Sequence, residues 1–125
     1  MISKLSIESK KRNELIDITD ELEKYAPSNG IITVYVPHTT AAVTVNEGAD
    51  PSVKEDILKK LEELAPPNED YSHAEGNSDS HIKATLVGPA ITLIIKEHKL
   101  VLGTWQRVFF CEFDGPRRRK IFIKT

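Results

Sequence analysis

IITVYV at residues 31–36 and AAVTVN at residues 41–46, parted only by PHTT at residues 37–40, decide the fold class. The first run is rich in β-branched and aromatic residues, and so short a separation makes the two a pair of strands with a tight connection between them. His38, Thr39 and Thr40 then stand at a strand-end turn. A period of two puts Val34, Val36 and His38 on one face of the first strand. Ala42, Thr44 and Asn46 share a face of the second.

Upstream, residues 2–7 and 14–18 flank the polar stretch SKKRN and read as a hairpin. A short helix over residues 20–25 follows, with Thr19 as its N-cap and Gly30 shortly beyond its end. Downstream lies the clearest helix of the chain. Asp50 is its N-cap, Pro51 takes the first helical position, and Val53, Ile57, Leu58, Leu61 and Leu64 fall on one face. Pro66 and Pro67 end it and open a long polar stretch, NEDYSHAEGNSDSH. A second helix starts near Ser78, carries His81, Ile82 and Leu86, and stops near Gly88. AITLII, LVLGTW and QRVFFCEF follow as strands, the first two joined across KEHK, and KIFIK comes after the DGPR turn, so the tail reads as a β-meander. The sum is an α+β protein: one domain over residues 1–125, mostly antiparallel sheet or sandwich, with two main helices packed on it.

Composition narrows the functional classes. The 125 residues match one domain able to bury a core without staples. Cys111 is the lone cysteine, so no intrachain disulfide is available and a reduced, cytoplasmic setting is expected. No window approaches the ~20 apolar residues of a membrane span, and the N-terminal stretch alternates where a signal peptide would be continuously apolar. A soluble protein without a membrane partner is therefore expected. With 17 Lys+Arg against 19 Asp+Glu, the net charge of -2 gives no global attraction to nucleic acid, and none is expected as a partner. Arg117, Arg118, Arg119 and Lys120 form one basic run, either a solvated hairpin arm or an anion contact.

Polar residues gather where regular backbone breaks, and those places are the candidates for chemistry. The first is PHTT, with Asn46, Glu47 and Asp50 at the end of the next strand. The second is YSHAEGNSDSHIK, where His73, Glu75, Asn77, Ser78, Ser80, His81 and Lys83 crowd around a helix start that could hold an anion, or form only a solvated connector. The third is LGTWQRVFFCEFDGPR: Trp105 reads as packing sooner than as a stacking platform, Gln106, Glu112 and Arg117 have no core role, and Cys111 reads as a small buried hydrophobe. His98 falls in a strand turn and reads as exposed. His38, His73 and His81 with one open coordination position would suit a catalytic divalent ion, zinc or magnesium, although their spacing is no standard local ligand pair.

Taken together, PHTTAAVTVNEGADP, YSHAEGNSDSHIKATLVG and LVLGTWQRVFFCEFDGPR resemble the YjbQ-like family, also called the secondary thiamine-phosphate synthase family. The likeness spans residues 38–117, in order. It implies an α+β subunit in a homotrimer, with polar sites near subunit boundaries and a secondary activity in joining the two halves of thiamine phosphate. Carried over position by position, it implies His38, Thr39, Asn46, Glu47, His73, Asn77, Ser78, His81, Gln106 and Arg117 as site residues, and it strengthens the metal reading of the histidines.

The expected function is a metal-assisted enzyme acting on a small phosphorylated molecule, a transferase of the thiamine-phosphate type being the named case. In that reading His38, Asn46, Glu47 and Glu75 do the chemistry, while Thr39, Thr40, Asn77, Ser78, Lys83, Trp105, Gln106 and Arg117 bind substrate or anion. The alternatives are a metal-dependent hydrolase with Glu47 or Glu75 as base, and a non-catalytic trimer that binds a small ligand or metal.

Overall fold

A computed structural model describes residues 2–125. The chain runs β1 (Ile2–Glu8), β2 (Glu14–Asp17), α1 (Thr19–Glu23), β3 (Asn29–Tyr35), β4 (Ala41–Glu47), α2 (Pro51–Leu64), α3 (Ser78–Val87), β5 (Ala90–Lys96), β6 (Lys99–Leu100), β7 (Gln106–Glu112) and β8 (Arg118–Lys124). Every strand pairing is antiparallel. Two sheets form, in the orders β1-β8-β3-β5-β6 and β2-β7-β4.

Burial follows from the pleat. Ile7, Ile32, Val34, Ile95, Ile121 and Ile123 point inward from the five-stranded sheet and meet Val43, Val108 and Phe110 of the three-stranded one. The opposite face of the smaller sheet, with Leu15, Ala42, Phe109 and Cys111, packs against Ile57, Leu58 and Leu61 of α2 and Ala84 of α3. The layers are therefore sheet, sheet and helices. β7 is central and covered on both faces, which explains why its sequence runs apolar without alternation. Burial pushes the Cys111 thiol up to about 12, so the group is inert, as its apolar neighbours predicted.

Most local signals hold, and most of the expected pairings do not. Asp50 caps α2, accepting from the Ser52 backbone N–H at 2.9 Å, with Pro51 opening the helix and Gly88 closing α3. The β1/β2 hairpin is corrected: β1 pairs with β8 and β2 with β7, in different sheets. β3 and β4 likewise belong to different sheets, because the PHTT segment crosses between layers. The meander survives only as β5–β6; β7 joins the smaller sheet and β8 lies between β1 and β3. Alternation tells a strand which face it buries and is silent on its neighbour. Thr19 is inside α1, not its cap; the Asp17 carboxylate accepts the Thr19 N–H at 3.0 Å, and the Thr19 hydroxyl accepts the Val108 N–H at 2.8 Å. Leu64 and Trp105, expected to pack, are 59% and 63% exposed.

Candidate functional site

The ladder between β3 and β8 ends at Tyr35 opposite Phe122, because the chain after Val36 reaches Pro37, which has no N–H to give. His38 takes over the next position on β8 with its side chain. Its Nε2 stands 3.1 Å from the backbone N and 3.1 Å from the backbone O of Lys120. A neutral ring can satisfy one of these at a time, and either choice leaves Nδ1 for the cavity outside. Burial, helped by the nearby positive charge of Arg119, holds the His38 imidazole below its ordinary value. His38 is thus a neutral, fixed imidazole.

Beneath it lies the end of the core between the sheets. Glu112 of β7 and Arg119 of β8 are both buried and joined by several hydrogen bonds, Nε to Oε1 at 2.9 Å among them. Arg119 also donates to the Thr40 hydroxyl at 2.8 Å, and the Ser9 hydroxyl donates to Glu112 at 2.7 Å. Burial would raise the Glu112 carboxyl, but Arg119, Ser9 and the Asp114 N–H together outweigh it and keep the group below its usual range. The ion pair closes the open end of the sandwich and fixes Thr40.

Above this floor is a cavity of about 430 Å³ walled by His38, Thr39, Glu75, Asn77, His81 and Arg117. The Arg117 guanidinium is aimed by Asp114, which accepts from Nε through its backbone oxygen at 2.9 Å and from Nη2 through its carboxylate at 3.1 Å. Asn77 donates to the same carboxylate at 3.0 Å, and its own Oδ1 is buried with no partner among the described residues. A contiguous cavity of about 440 Å³ shares His38, Thr39 and His81 and adds the apolar wall of Ala41, Ala84 and Pro89. His73 approaches from the far side of His81, their ring centroids 5.5 Å apart and nearly perpendicular, with Glu75 at 3.7 Å from His73. Ser78 lines a separate pocket there, together with His73 and His81.

Other expected site residues lie elsewhere. Asn46 and Glu47 end β4 opposite Arg107 and Gln106, about 20 Å along the strand from Ala41, and Trp105 precedes Gln106 at that same end. Lys83 is buried on the helical side, 3.2 Å from Glu62, 3.4 Å from Asp79 and 3.4 Å from the Asn13 side chain. Arg12 completes that cluster with two bonds to Asp79, at 2.8 and 3.0 Å. Conversely, Arg119, read as part of a solvated arm or an anion contact, is buried under the cavity, and Asp114, given no site role, aims Arg117 on its wall. A basic residue two before the buried Ile121 must face the core, and that alternation was the available signal for Arg119. Among the described residues, no three His, Cys, Asp or Glu side chains converge closely enough to hold a metal ion. The three imidazoles reach one region but do not form a ligand set, and His38 Nε2 is already engaged.

The model of the UPF0047 YjbQ-like proteins matches residues 3–125. The chain belongs to this family. A UPF0047 protein of Methanocaldococcus jannaschii is 52% identical, the match covering 99% of this chain and 93% of that relative. The UPF0047 protein YugU of Bacillus subtilis is 45% identical over 99% of this chain and 98% of its own length. Among solved structures, an uncharacterised YjbQ/UPF0047 protein of Clostridium acetobutylicum superposes with a TM-score of 0.94 at 47% identity, covering 98% of both chains. The two-sheet architecture is thus that of the YjbQ family.

Proposed function

We propose that this YjbQ-family chain binds and acts on a small phosphorylated molecule in the cavity between His38, His81 and Arg117. The observation that carries the reading is the meeting of a neutral, buried-edge imidazole, a guanidinium aimed by Asp114 and the Thr39 hydroxyl around one opening. Arg117 uses Nε and Nη2 on Asp114, leaving Nη1 to hold a phosphoryl oxygen. In the tautomer that donates Nε2–H to the Lys120 carbonyl, His38 has Nδ1 free to accept or relay a proton, and an imidazole that stays neutral near pH 7 is competent as a base. Glu75 stands at the mouth as a second proton acceptor. Condensation of the two halves of thiamine phosphate is the named transferase case, and water-dependent cleavage of one phosphorylated half is the hydrolytic alternative; product analysis separates them.

The divalent ion, zinc or magnesium, is a second reading. It is favoured by the approach of His73 to His81 and Glu75, and it requires side-chain rotation to bring ligands onto one centre. Self-association as a homotrimer is proposed through the α3 flank of the cavity, where Ile82 and Leu86 are 38% and 57% exposed beside His81. Among the described residues no helix is long and apolar enough to cross a membrane, and a cytoplasmic location is proposed with the reduced Cys111.

Calorimetric titration with pyrophosphate and with simple phosphate monoesters, with and without chelator, tests the reading. Binding that falls at least tenfold in Arg117→Ala supports it. Equal, negligible heats in the parent and in Arg117→Ala, with and without added zinc or magnesium, refute it. Binding that disappears only with chelator selects the metal-assisted form.

A further inference from the structure

The outward face of the five-stranded sheet carries a pattern that the cavity does not use. Register places Lys4 opposite Phe122 and Phe122 opposite Tyr35, so one row crosses β1, β8 and β3 on a single face. Tyr35 is 48% exposed. The ammonium groups of Lys4 and Lys120 lie 5.9 and 5.7 Å from the Phe122 ring centre. In the next row Lys124 stands opposite Thr33, whose hydroxyl is 3.1 Å from that of Thr92. Arg118, Lys120 and Lys124 alternate outward along β8, while the carboxylate facing them, Glu8, is 3.4 Å from Arg118. On a chain of net charge -2, this gathers cations and aromatic rings on one sheet face.

We propose that this sheet face binds single-stranded nucleic acid, with bases stacked on Tyr35 and Phe122 and phosphates held by Lys4, Lys120 and Lys124. Residues directly opposite on neighbouring strands have Cβ atoms about 5 Å apart, so the two aromatic side chains rise from adjoining positions on the face. Stacking on such rings accepts any base, and lysines swung off a ring reach the backbone without reading sequence. The Thr33 and Thr92 hydroxyls beside the platform supply hydrogen bonds to base edges. A duplex hides its base faces and would meet only the lysines. An acidic peptide would likewise leave both rings unused. The whole-chain charge pointed away from nucleic acid because it is a sum; the pleat sorts the basic run at residues 117–120 between two faces and so creates a local field that the sum conceals.

Fluorescence anisotropy with a labelled oligothymidylate tests the proposal on the intact protein. Binding at low salt that weakens as salt rises, and that is tighter than for a duplex of equal length, is expected. Tyr35→Leu and Phe122→Leu should each weaken it by roughly tenfold, with the circular dichroism spectrum unchanged. If Phe122→Leu perturbs the fold, Tyr35→Leu at its exposed position decides alone. No binding at low salt overturns the proposal. So does equal affinity for duplex or polyglutamate, or an affinity that drops in Lys124→Glu but not in Tyr35→Leu, since each describes a contact without stacking.

Discussion

His38 and Lys120, 82 positions apart, are joined as if they were neighbours in a sheet: the imidazole Nε2 sits 3.1 Å from the Lys120 backbone nitrogen, where a strand carbonyl would otherwise be. The ring is part of the ladder and part of the cavity wall at once. Because burial disfavours its charged form, the His38 midpoint in an NMR titration should fall below the ordinary imidazole value of about 6.5. The sign follows: the folded state binds this proton less readily than the unfolded chain, so His38 costs stability as pH drops from about 6.5 through its folded midpoint. A midpoint at or above the ordinary value contradicts the arrangement.

Glu112 and Arg119 make the second prediction. Arg119→Met leaves a buried carboxylate without its partner and should cost about 3–5 kcal/mol in urea unfolding at neutral pH, whereas the double change Glu112→Leu with Arg119→Met should cost much less. The Glu112 carboxyl lies below its usual range in the fold, so its contribution is present above the unfolded carboxylate value of about 4.3 and is lost as pH falls through the lower folded value. Equal costs for the single and double changes would speak against the pairing.

Gly115 is a matter of space. A Cβ built there would collide with the Lys11 carbonyl and lie 2.6 Å from the Ser9 hydroxyl oxygen, and the Gly115 N–H donates to the Arg12 carbonyl at 3.1 Å. Gly115→Ala should therefore lose about 1–3 kcal/mol and loosen Asp114 with Arg117, weakening any phosphate binding. Thermal melting and calorimetry read the two effects separately. A variant as stable as the parent would show that the turn yields.

For Lys83 the expected change is in stability alone. Its ammonium is buried between Asp79, Glu62 and Asn13, away from the cavity. Lys83→Met should cost a few kcal/mol and leave phosphate affinity within about twofold. Loss of binding at unchanged stability would return Lys83 to the site.

Elemental analysis decides the metal reading. If a divalent ion is shared by the three imidazoles, His38→Ala, His73→Ala and His81→Ala each strip most of it while His98→Ala, in the turn after β5, does not. Unchanged metal content in two of the three ends that reading.

What could be read along the chain was whatever depends on residues a few positions apart. Asp50, Pro51 and Gly88 mark helix ends because caps act within a turn. The polar breaks at PHTT and around Ser78 do come together, since both lie at one end of the sandwich. Asn46, Glu47, Gln106 and Trp105 do not join them: a strand has two ends, and hydrophobic alternation is the same read from either. The pairing of β1 with β8 left no local mark at all.

That last pairing has a consequence for how the molecule comes into being. During synthesis β1 emerges early and must wait, unpaired, until β8 has been made, because Ile2 and Lys124 are register partners. Contacts of such long sequence separation slow folding by demanding loop closure before any reward. The three-stranded sheet likewise needs β7 to bridge β2 and β4. Neither sheet can start on a nascent chain that stops at α3: β3 finds its first partner in β5, while β1, β2 and β4 stay unpaired until β7 and β8 are made.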